Sequence, residues 1–165
     1  MKTKAALTFS VKAAFFCPMS FLLNPRLKAD TAAVTELALS SVRLMRDGRF
    51  LWLVLIPRKT GVSEIFDLSP SDQQILMKEI SITARLLKAY AQCDKINIAA
   101  FGNMVPQLHI HVIARFTADP AWPGSAIGHG APMPREPSIE AQIIKQLKQA
   151  FGEKTEAQKS KKPMN

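Results

Sequence analysis

The most constraining feature of this chain is the apolar run FLWLVLI at residues 50–56, which ends at Pro57. A strand that lacks a polar side is normally buried on both of its faces. Residues 42–46 precede it, and the dipeptide Asp47-Gly48 between the two segments suits a tight hairpin turn. The sequence therefore predicts a hairpin whose second strand is central in a sheet that is covered on both faces.

A long amphipathic helix is predicted from Pro70 to Gln92. Ser69 can cap its first turn, proline suits the first helical position, and Asp72 can complete a capping box. The apolar stripe that would cover the sheet consists of Ile75, Leu76, Ile80, Leu87 and Ala91. A shorter amphipathic helix is predicted over residues 139–151.

Two further strands are predicted over residues 95–103 and 106–116. The loop between them is short, which favours antiparallel pairing. Residues 117–138 are rich in proline and glycine and predict an irregular surface segment. The fold class that follows is α+β: an antiparallel sheet of about five strands, with the main helix on one face and a C-terminal helix.

The 165 residues, 47% of them hydrophobic, are enough for one domain with its own core. We assign this domain to residues 19–152. Lys12 interrupts the apolar run at the start of the sequence, so neither a signal peptide nor a membrane span fits. Because Met19 lies just before the better-patterned sequence, residues 1–18 are interpreted as an upstream extension without a structural role. Residues 153–165 are polar and basic, and we expect them to be disordered.

The chain carries 22 Lys and Arg against 13 Asp and Glu, a formal charge of +9, which favours anionic partners. Much of this excess lies near the two ends of the chain and says little about a binding groove. Cys17 and Cys93 form neither a metal-binding pattern nor a disulfide framework. Two such thiols suit a reducing compartment, so we expect a cytoplasmic protein.

Alternation along residues 106–116 separates an apolar face from a polar one, because successive side chains of a strand point to opposite faces. The apolar face holds Leu108, Ile110, Val112, Ala114 and Phe116. The opposite face holds Gln107, His109, His111, Ile113 and Arg115. Since the helix must cover the apolar face, the two histidines are expected on the other face, as part of a site.

Three interpretations of this histidine pair remain open on the residues alone. The imidazoles can be buried polar groups that backbone and water satisfy. They can be metal ligands, with His129 or a distant carboxylate as a third ligand, because zinc normally takes three or four protein ligands. One of them can be a nucleophile that attacks phosphorus.

The segment QLHIHVIAR resembles the signature of the histidine triad family, in which three histidines alternate with apolar residues. LWLVLIPRKTGVSEIFDLSPSDQQIL is similar to the strand, turn and helix start of that family, and INIAAFGN to the strand before the triad. The resemblance covers residues 42–115.

The resemblance implies that His109 is the nucleophile that accepts a nucleotidyl group, and that His111 lines the phosphate site. Gln107 stands where the first histidine of the family lies. Glutamine can form hydrogen bonds but cannot titrate. We therefore expect Gln107 to orient a loop or a neighbouring side chain rather than to carry protons.

The resemblance also implies residues that bind the substrate. Asn103 corresponds to an amide near the phosphates, although Asn97 is a rival for this role. Asp47 corresponds to the residue that bonds the ribose hydroxyls, and Arg58 to a basic position after the proline. The remaining candidates are assigned to the core (Phe50, Trp52) or to loops (Trp122, His129).

The function that the resemblance implies is hydrolysis of a dinucleoside polyphosphate or a nucleoside phosphoramidate through a nucleotidyl-His109 intermediate. No cofactor is required, although a divalent ion can accompany the substrate phosphates. A homodimer with sheets joined edge to edge is implied, without a specific nucleic-acid site or a membrane partner. Two alternatives are a non-catalytic nucleotide- or partner-binding protein on the same fold and a metal enzyme that uses His109 and His111.

Overall fold

The computed structural model describes residues 21–159, with side chains as far as residue 153. The predicted extension at residues 1–18 and the last residues, 160–165, lie outside this described part. The elements in chain order are α1 (Pro25–Asp30), β1 (Thr31–Glu36), β2 (Ser40–Met45), β3 (Leu51–Pro57), α2 (Pro70–Ala91), β4 (Lys95–Ala100), β5 (Ile110–Arg115) and α3 (Pro137–Lys159).

The five strands form one antiparallel sheet in the order β1-β2-β3-β5-β4. Strand β3 is central, is buried at every position after Leu51 and ends at Pro57. The predicted α+β class, the hairpin of β2 and β3, and the antiparallel pairing of β4 with β5 are all confirmed.

Each face of the sheet carries its own hydrophobic core. The helical core lies between the sheet and the helices α2 and α3, and it includes Leu55, Leu76, Leu87, Val112 and Leu147. The site-face core lies on the other side, under α1 and the irregular segment after β5, and it includes Leu27, Trp52, Val54, Ile113 and Ala126. The apolar run of β3 is explained by this arrangement, because its alternate side chains enter different cores.

Helix α2 begins where its sequence predicts and ends at Ala91, one residue before the predicted Gln92. The Ser69 hydroxyl accepts a hydrogen bond from the backbone N–H of Asp72 at 3.1 Å, and Pro70 occupies the first turn. Gln92 ends the helix in the left-handed conformation with φ 51°. A helix stop of this kind leaves the chain free to turn directly into β4.

Helix α3 is longer than predicted. It starts at Pro137 and continues to Lys159, through residues 153–159 that the sequence assigned to a disordered tail. Leu147 and Phe151 bury its apolar face on the sheet. The residues beyond are mainly Lys, Glu, Ala and Gln, which favour helix strongly enough to extend one that packing has already nucleated.

Strand β5 is shorter than predicted and starts at Ile110 rather than at residue 106. The backbone N–H of Leu108 donates to the carbonyl of Val62 at 3.0 Å, in the loop after β3. Gln107 and His109 therefore precede the strand. The predicted division of faces is kept, because Leu108 lies in the helical core and Ile113 in the site-face core.

A buried arginine at the end of β5 holds the irregular segment against the site face. Arg115 is 1% exposed and donates from Nε and Nη2 to the Asp119 carboxylate at 2.7 and 3.0 Å. Its Nη1 donates to Asn97 Oδ1 at 2.7 Å, and the guanidinium carbon lies 5.9 Å from the centre of the Trp122 ring. The hydrogen bond from Arg115 lowers the pKa of Asp119, and backbone donors from Phe116 and Ala121 add to this effect against the opposing influence of burial.

Replacing Asp119 with Ala is expected to lower the free energy of unfolding by roughly 3–5 kcal/mol, because it leaves a buried guanidinium charge without its carboxylate. Asp30→Ala is the matched control: Asp30 also pairs with an arginine four residues away, Arg26, but on the surface. Its loss should be at most about 1 kcal/mol. Urea denaturation measures both values, and similar losses in the two variants would contradict the assigned role of Arg115.

Candidate active site

His109 and His111 lie side by side on the face of the sheet opposite α2, as predicted. They are 7% and 5% exposed, and their ring centres are 4.9 Å apart with an angle of 85° between the ring planes. Two imidazoles this close, with little access to water, need defined hydrogen-bond partners.

The partner of His109 sets its tautomer. Its Nδ1 lies 2.7 Å from the backbone carbonyl oxygen of Gln107. Because a carbonyl can only accept, Nδ1 must carry the hydrogen. In the neutral ring, Nε2 then keeps its lone pair, which is the state that a nucleophile requires.

The partner of His111 sets the opposite tautomer. The indole N–H of Trp52 donates to Nδ1 of His111 at 3.0 Å, and indole has no acceptor. Nδ1 of His111 therefore holds the lone pair, and the hydrogen of the neutral ring lies on Nε2. The two adjacent neutral imidazoles thus differ in what Nε2 offers: His109 has a lone pair there, and His111 has an N–H donor.

Burial keeps His111 neutral. Desolvation, with a smaller contribution from the charge of His109, lowers the pKa of His111 from its ordinary value of 6.5 to about 4. At neutral pH the ring can therefore act as a hydrogen-bond donor without carrying a charge.

Trp52 was predicted to be a core residue, and it is also part of the site. It lies in the site-face core, is 6% exposed and contacts His111 edge-on, with ring centres 5.1 Å apart. The contact depends on the pairing of β3 with β5, which places Trp52 opposite Ile113. The sequence alone does not specify that pairing.

Gln107 binds the backbone of the segment that enters α1. Its Nε2 donates to the carbonyl of Leu22 at 2.9 Å, and its Oε1 accepts from the N–H of Asn24 at 2.9 Å. The Gln107 side chain therefore joins the segment before α1 to the loop that carries His109. The backbone carbonyl of the same residue accepts a hydrogen bond from the His109 ring. Gln107 has a positioning role in this geometry.

A small cleft of about 250 Å³ lies beside His109. Asn103 lines it, together with Ser63 and Glu64 from the loop before α2. Asn97, the rival candidate, does not line this cleft, and its side-chain oxygen accepts a hydrogen bond from Arg115 at 2.7 Å. The structure thus brings Asn103, and not Asn97, next to His109.

Asp47 lies in the wall of a second, larger cleft of about 460 Å³, which Trp52 also lines. Its carboxylate accepts from the backbone and guanidinium of Arg49, with the shortest distance 2.6 Å, and from the N–H of Met133. Burial alone would raise the pKa of Asp47, but the bonds from Arg49 and Met133 outweigh it and hold the pKa below its ordinary value. Asp47 is therefore charged, and it joins the hairpin turn to the segment before α3.

Arg49 was not predicted to belong to the site, and His129 was considered only as a third metal ligand or a loop residue, yet both line the larger cleft. Arg49 Nη1 donates to the carbonyl of His129 at 2.7 Å, and the His129 ring lies edge-on to Phe50 with ring centres 6.5 Å apart. His129 lies within the proline- and glycine-rich segment 117–138, which has no periodicity. The sequence therefore carried no signal that would place it here.

Arg58 lies elsewhere and its predicted role in substrate binding is not supported by its position. Its guanidinium pairs with Glu36 and donates to the carbonyls of Leu37 and Ala38 at 2.7 and 3.0 Å. These contacts secure the turn between β1 and β2. The proline before it ends β3 at the side of the sheet where that turn lies, which explains why the basic side chain packs there.

A third metal ligand beside the two histidines is not found among the described side chains. Within residues 21–153, no group of three or more His, Cys, Asp or Glu side chains is placed to hold a metal ion. His129 contacts Phe50 and lines the larger cleft, whereas His109 lines the smaller one. The alternative that joins His109, His111 and His129 around a metal therefore lacks a geometric basis.

The fold and the paired histidines define an α+β protein of the histidine triad type. A model of the HIT domain matches residues 26–118, and the chain belongs to that family. Solved structures of similar proteins agree. A histidine triad protein from Bradyrhizobium japonicum is 43% identical, covers 79% of this chain and 98% of its own, and superimposes with a TM-score of 0.77. One from Marinobacter aquaeolei is 40% identical, with coverage of 81% and 98% and a TM-score of 0.79.

Among curated proteins, the chain is similar to the bis(5'-adenosyl)-triphosphatase of Saccharomyces cerevisiae. The two are 30% identical over 69 residues, which is 39% of this chain. The match spans 34% of the length of the yeast protein. Separately, none of the helices in the described part of the chain is long and apolar enough to cross a membrane.

The lowered pKa of His111 predicts a stability that depends on pH. The unfolded chain protonates this histidine near 6.5 and the folded chain near 4, so acid favours unfolding. The contribution of His111 to the free energy of unfolding is fully present above about pH 6.5. About 2–3 kcal/mol of it is lost as the pH falls toward 4. His111→Asn, which keeps an acceptor for Trp52 but does not titrate, should lose less stability between pH 7 and pH 4.5.

Urea unfolding of the wild type, His111→Asn and the exposed control His129→Asn at both pH values measures this difference. The control should follow the wild type. Parallel losses in the wild type and His111→Asn would show that His111 does not cause the acid sensitivity.

Proposed function

We propose that the protein cleaves a nucleoside phosphate derivative through a covalent nucleotidyl intermediate on His109. The observation that carries this proposal is the hydrogen bond from His109 Nδ1 to the Gln107 carbonyl, which leaves Nε2 unprotonated beside the cleft that Asn103 lines. A buried imidazole in this tautomer is a nucleophile that is already oriented for attack.

The proposed reaction has two steps. Nε2 of His109 attacks the α-phosphorus, and the bond from phosphorus to the leaving oxygen or nitrogen breaks, its electron pair staying with the leaving group, which then takes up a proton. Water next attacks phosphorus and releases a proton to solvent, while the bond from phosphorus to His109 Nε2 breaks and its electron pair returns to the ring, which frees the nucleoside monophosphate. The Gln107 carbonyl stabilises the positive charge that the ring gains in the first step, and the Nε2–H of His111 and the amide of Asn103 are donors for phosphate oxygens.

Two substrate classes fit this chemistry: dinucleoside polyphosphates and nucleoside phosphoramidates. The similarity to a bis(5'-adenosyl)-triphosphatase supports the first class. The larger cleft has room for a nucleoside, with Asp47 and Trp52 in its wall. No cofactor enters the two steps, although a divalent ion can accompany the substrate phosphates.

A second candidate function is nucleotide binding without turnover. It is favoured by the side chain of Gln107, which is bound to Leu22 and Asn24 instead of to an imidazole. A nucleotide-panel turnover assay beside calorimetry with AMP and ADP separates the two: binding without turnover by folded protein would favour this candidate.

His109→Ala is expected to abolish turnover of diadenosine triphosphate, because the nucleophile is removed. Gln107→Ala should retain a measurable rate, with a deficit of about 10–100-fold, since only orientation is lost. Steady-state kinetics of the two variants, with circular dichroism to establish folding, check this. Full turnover by His109→Ala, or a folded Gln107→Ala as inactive as His109→Ala, would contradict the assigned roles.

We also propose that two copies join along strand β4. This strand is one edge of the sheet and leaves Ile98 51% exposed, with Phe101 44% exposed just beyond it. The other edge, β1, is packed against α1 and α3. An exposed apolar edge strand is a ready surface for pairing with a second copy.

Light scattering should give twice the mass of one chain for the wild type, and Ile98→Asp should shift it toward the mass of a single chain. Met77→Asp, at an exposed position of α2, is the control and should leave the dimer intact. A wild type that is strictly monomeric would contradict the proposed assembly.

A further inference from the structure

An open groove of about 720 Å³ lies between the β1-β2 end of the sheet and helix α3. Its lining is basic and apolar. The side chains with a positive charge are Lys28, Arg43, Arg46, Lys145 and Lys148, and the apolar ones are Ala32, Ala33, Ala141 and Ile144. None of the described residues that line this basic groove is acidic.

The cations of the basic groove come from parts of the chain that are far apart in sequence. Lys28 lies in the last turn of α1, whereas Lys145 and Lys148 lie on one face of α3, separated by three positions. All three lysines are exposed. Charge near both ends of the sequence is thus brought together on one surface by the packing of α3 against β1.

The two arginines are fixed in place. Arg43 donates to the hydroxyl and carbonyl of Thr31 at 2.6 and 3.0 Å. Arg46 donates to the Glu140 carboxylate at 2.6 Å, so its own charge is partly balanced. Burial and the nearby charge of Arg46 lower the pKa of Arg43 against the opposing charge of Glu36. The groove therefore combines two arginines that hydrogen bonds hold in place with three exposed lysines.

From this arrangement we propose that the basic groove binds the phosphodiester backbone of a nucleic-acid strand, without sequence specificity. Converging lysines and arginines neutralise several phosphates of one strand at once, which releases counterions and favours binding. The lining presents charges and small apolar side chains, which suit contacts to the backbone rather than readout of bases.

Continuity with the nucleoside cleft favours nucleic acid over an acidic peptide. Arg46 lines both the basic groove and the larger cleft that holds Asp47 and Trp52. A nucleotide bound in that cleft would direct the rest of its nucleic-acid strand along the groove. This choice of occupant rests on the proposed function, whereas the anion-binding character of the groove rests on its own residues.

The test uses the full chain and a fluorescein-labelled single-stranded DNA of about 12 nucleotides and mixed sequence. Fluorescence anisotropy at about 50 mM and about 200 mM salt gives the affinity and its salt dependence. The variant Lys145→Glu/Lys148→Glu is compared with Lys78→Glu/Arg85→Glu. The second pair makes the same change in net charge at exposed positions of α2.

We expect the groove variant to bind about tenfold or more weakly at low salt. The slope of log affinity against log salt concentration should become shallower by about 1.4, which is about 0.7 for each phosphate that the variant no longer neutralises. The α2 variant should stay close to the wild type. Equal losses in the two variants would overturn the proposal, because net charge alone would then explain binding. Equal competition by a polyglutamate peptide and by unlabelled DNA would overturn the choice of nucleic acid.

The two proposals fail separately. The groove variant should keep wild-type turnover of diadenosine triphosphate, and His109→Ala should keep wild-type affinity for the oligonucleotide. Groove-dependent DNA binding by a wild type that turns over no nucleotide would refute the proposed hydrolysis and leave the groove assignment standing. Turnover without groove-dependent binding would refute the groove assignment alone.

Discussion

Burial of strand β5 on both of its faces is the constraint on which the rest of the structure depends. All six of its residues are buried. Val112 and Ala114 enter the helical core, while His111, Ile113 and Arg115 face the other side. Because alternate side chains of a strand point to opposite faces, a shift by one residue would place an arginine and a histidine under α2. Core packing therefore holds the imidazoles where they are.

The two imidazoles are held in place by hydrogen bonds from within the chain. Trp52 and the Gln107 carbonyl each bind one nitrogen of an imidazole, and together they give the two rings opposite tautomers. Arg115 and Asp47 secure the segments that surround the site, through Asp119 and Met133 respectively. A group whose partners are in place loses little orientational freedom in the transition state, which is how buried polar contacts contribute to rate.

The sequence predicted those elements whose signals are local. The cap at Ser69 and the apolar stripe after it gave the start of α2 and placed its end within one residue, and the turn at Asp47 gave the correct pairing of β2 with β3. The start of β5 and the end of α3 were predicted wrongly, because the first depends on a bond from Leu108 to another loop and the second on propagation from a packed helix. Strand β1 was not identified individually, since its six residues carry a weak pattern and an irregular register.

The sequence by itself determined which residues of β5 alternate between the two faces and where the main helix begins, because each of these follows from the geometry of a single element. His109 precedes β5, so its place beside His111 also depends on the bond from Leu108 to Val62. Only the tertiary structure decided which groups meet across elements. Trp52 reaches His111 across paired strands, and Gln107 holds Leu22 although 85 positions separate them. The basic groove likewise brings together α1 and α3, which are far apart in sequence. Such contacts depend on how strands and helices pack, and local periodicity carries no information about that choice.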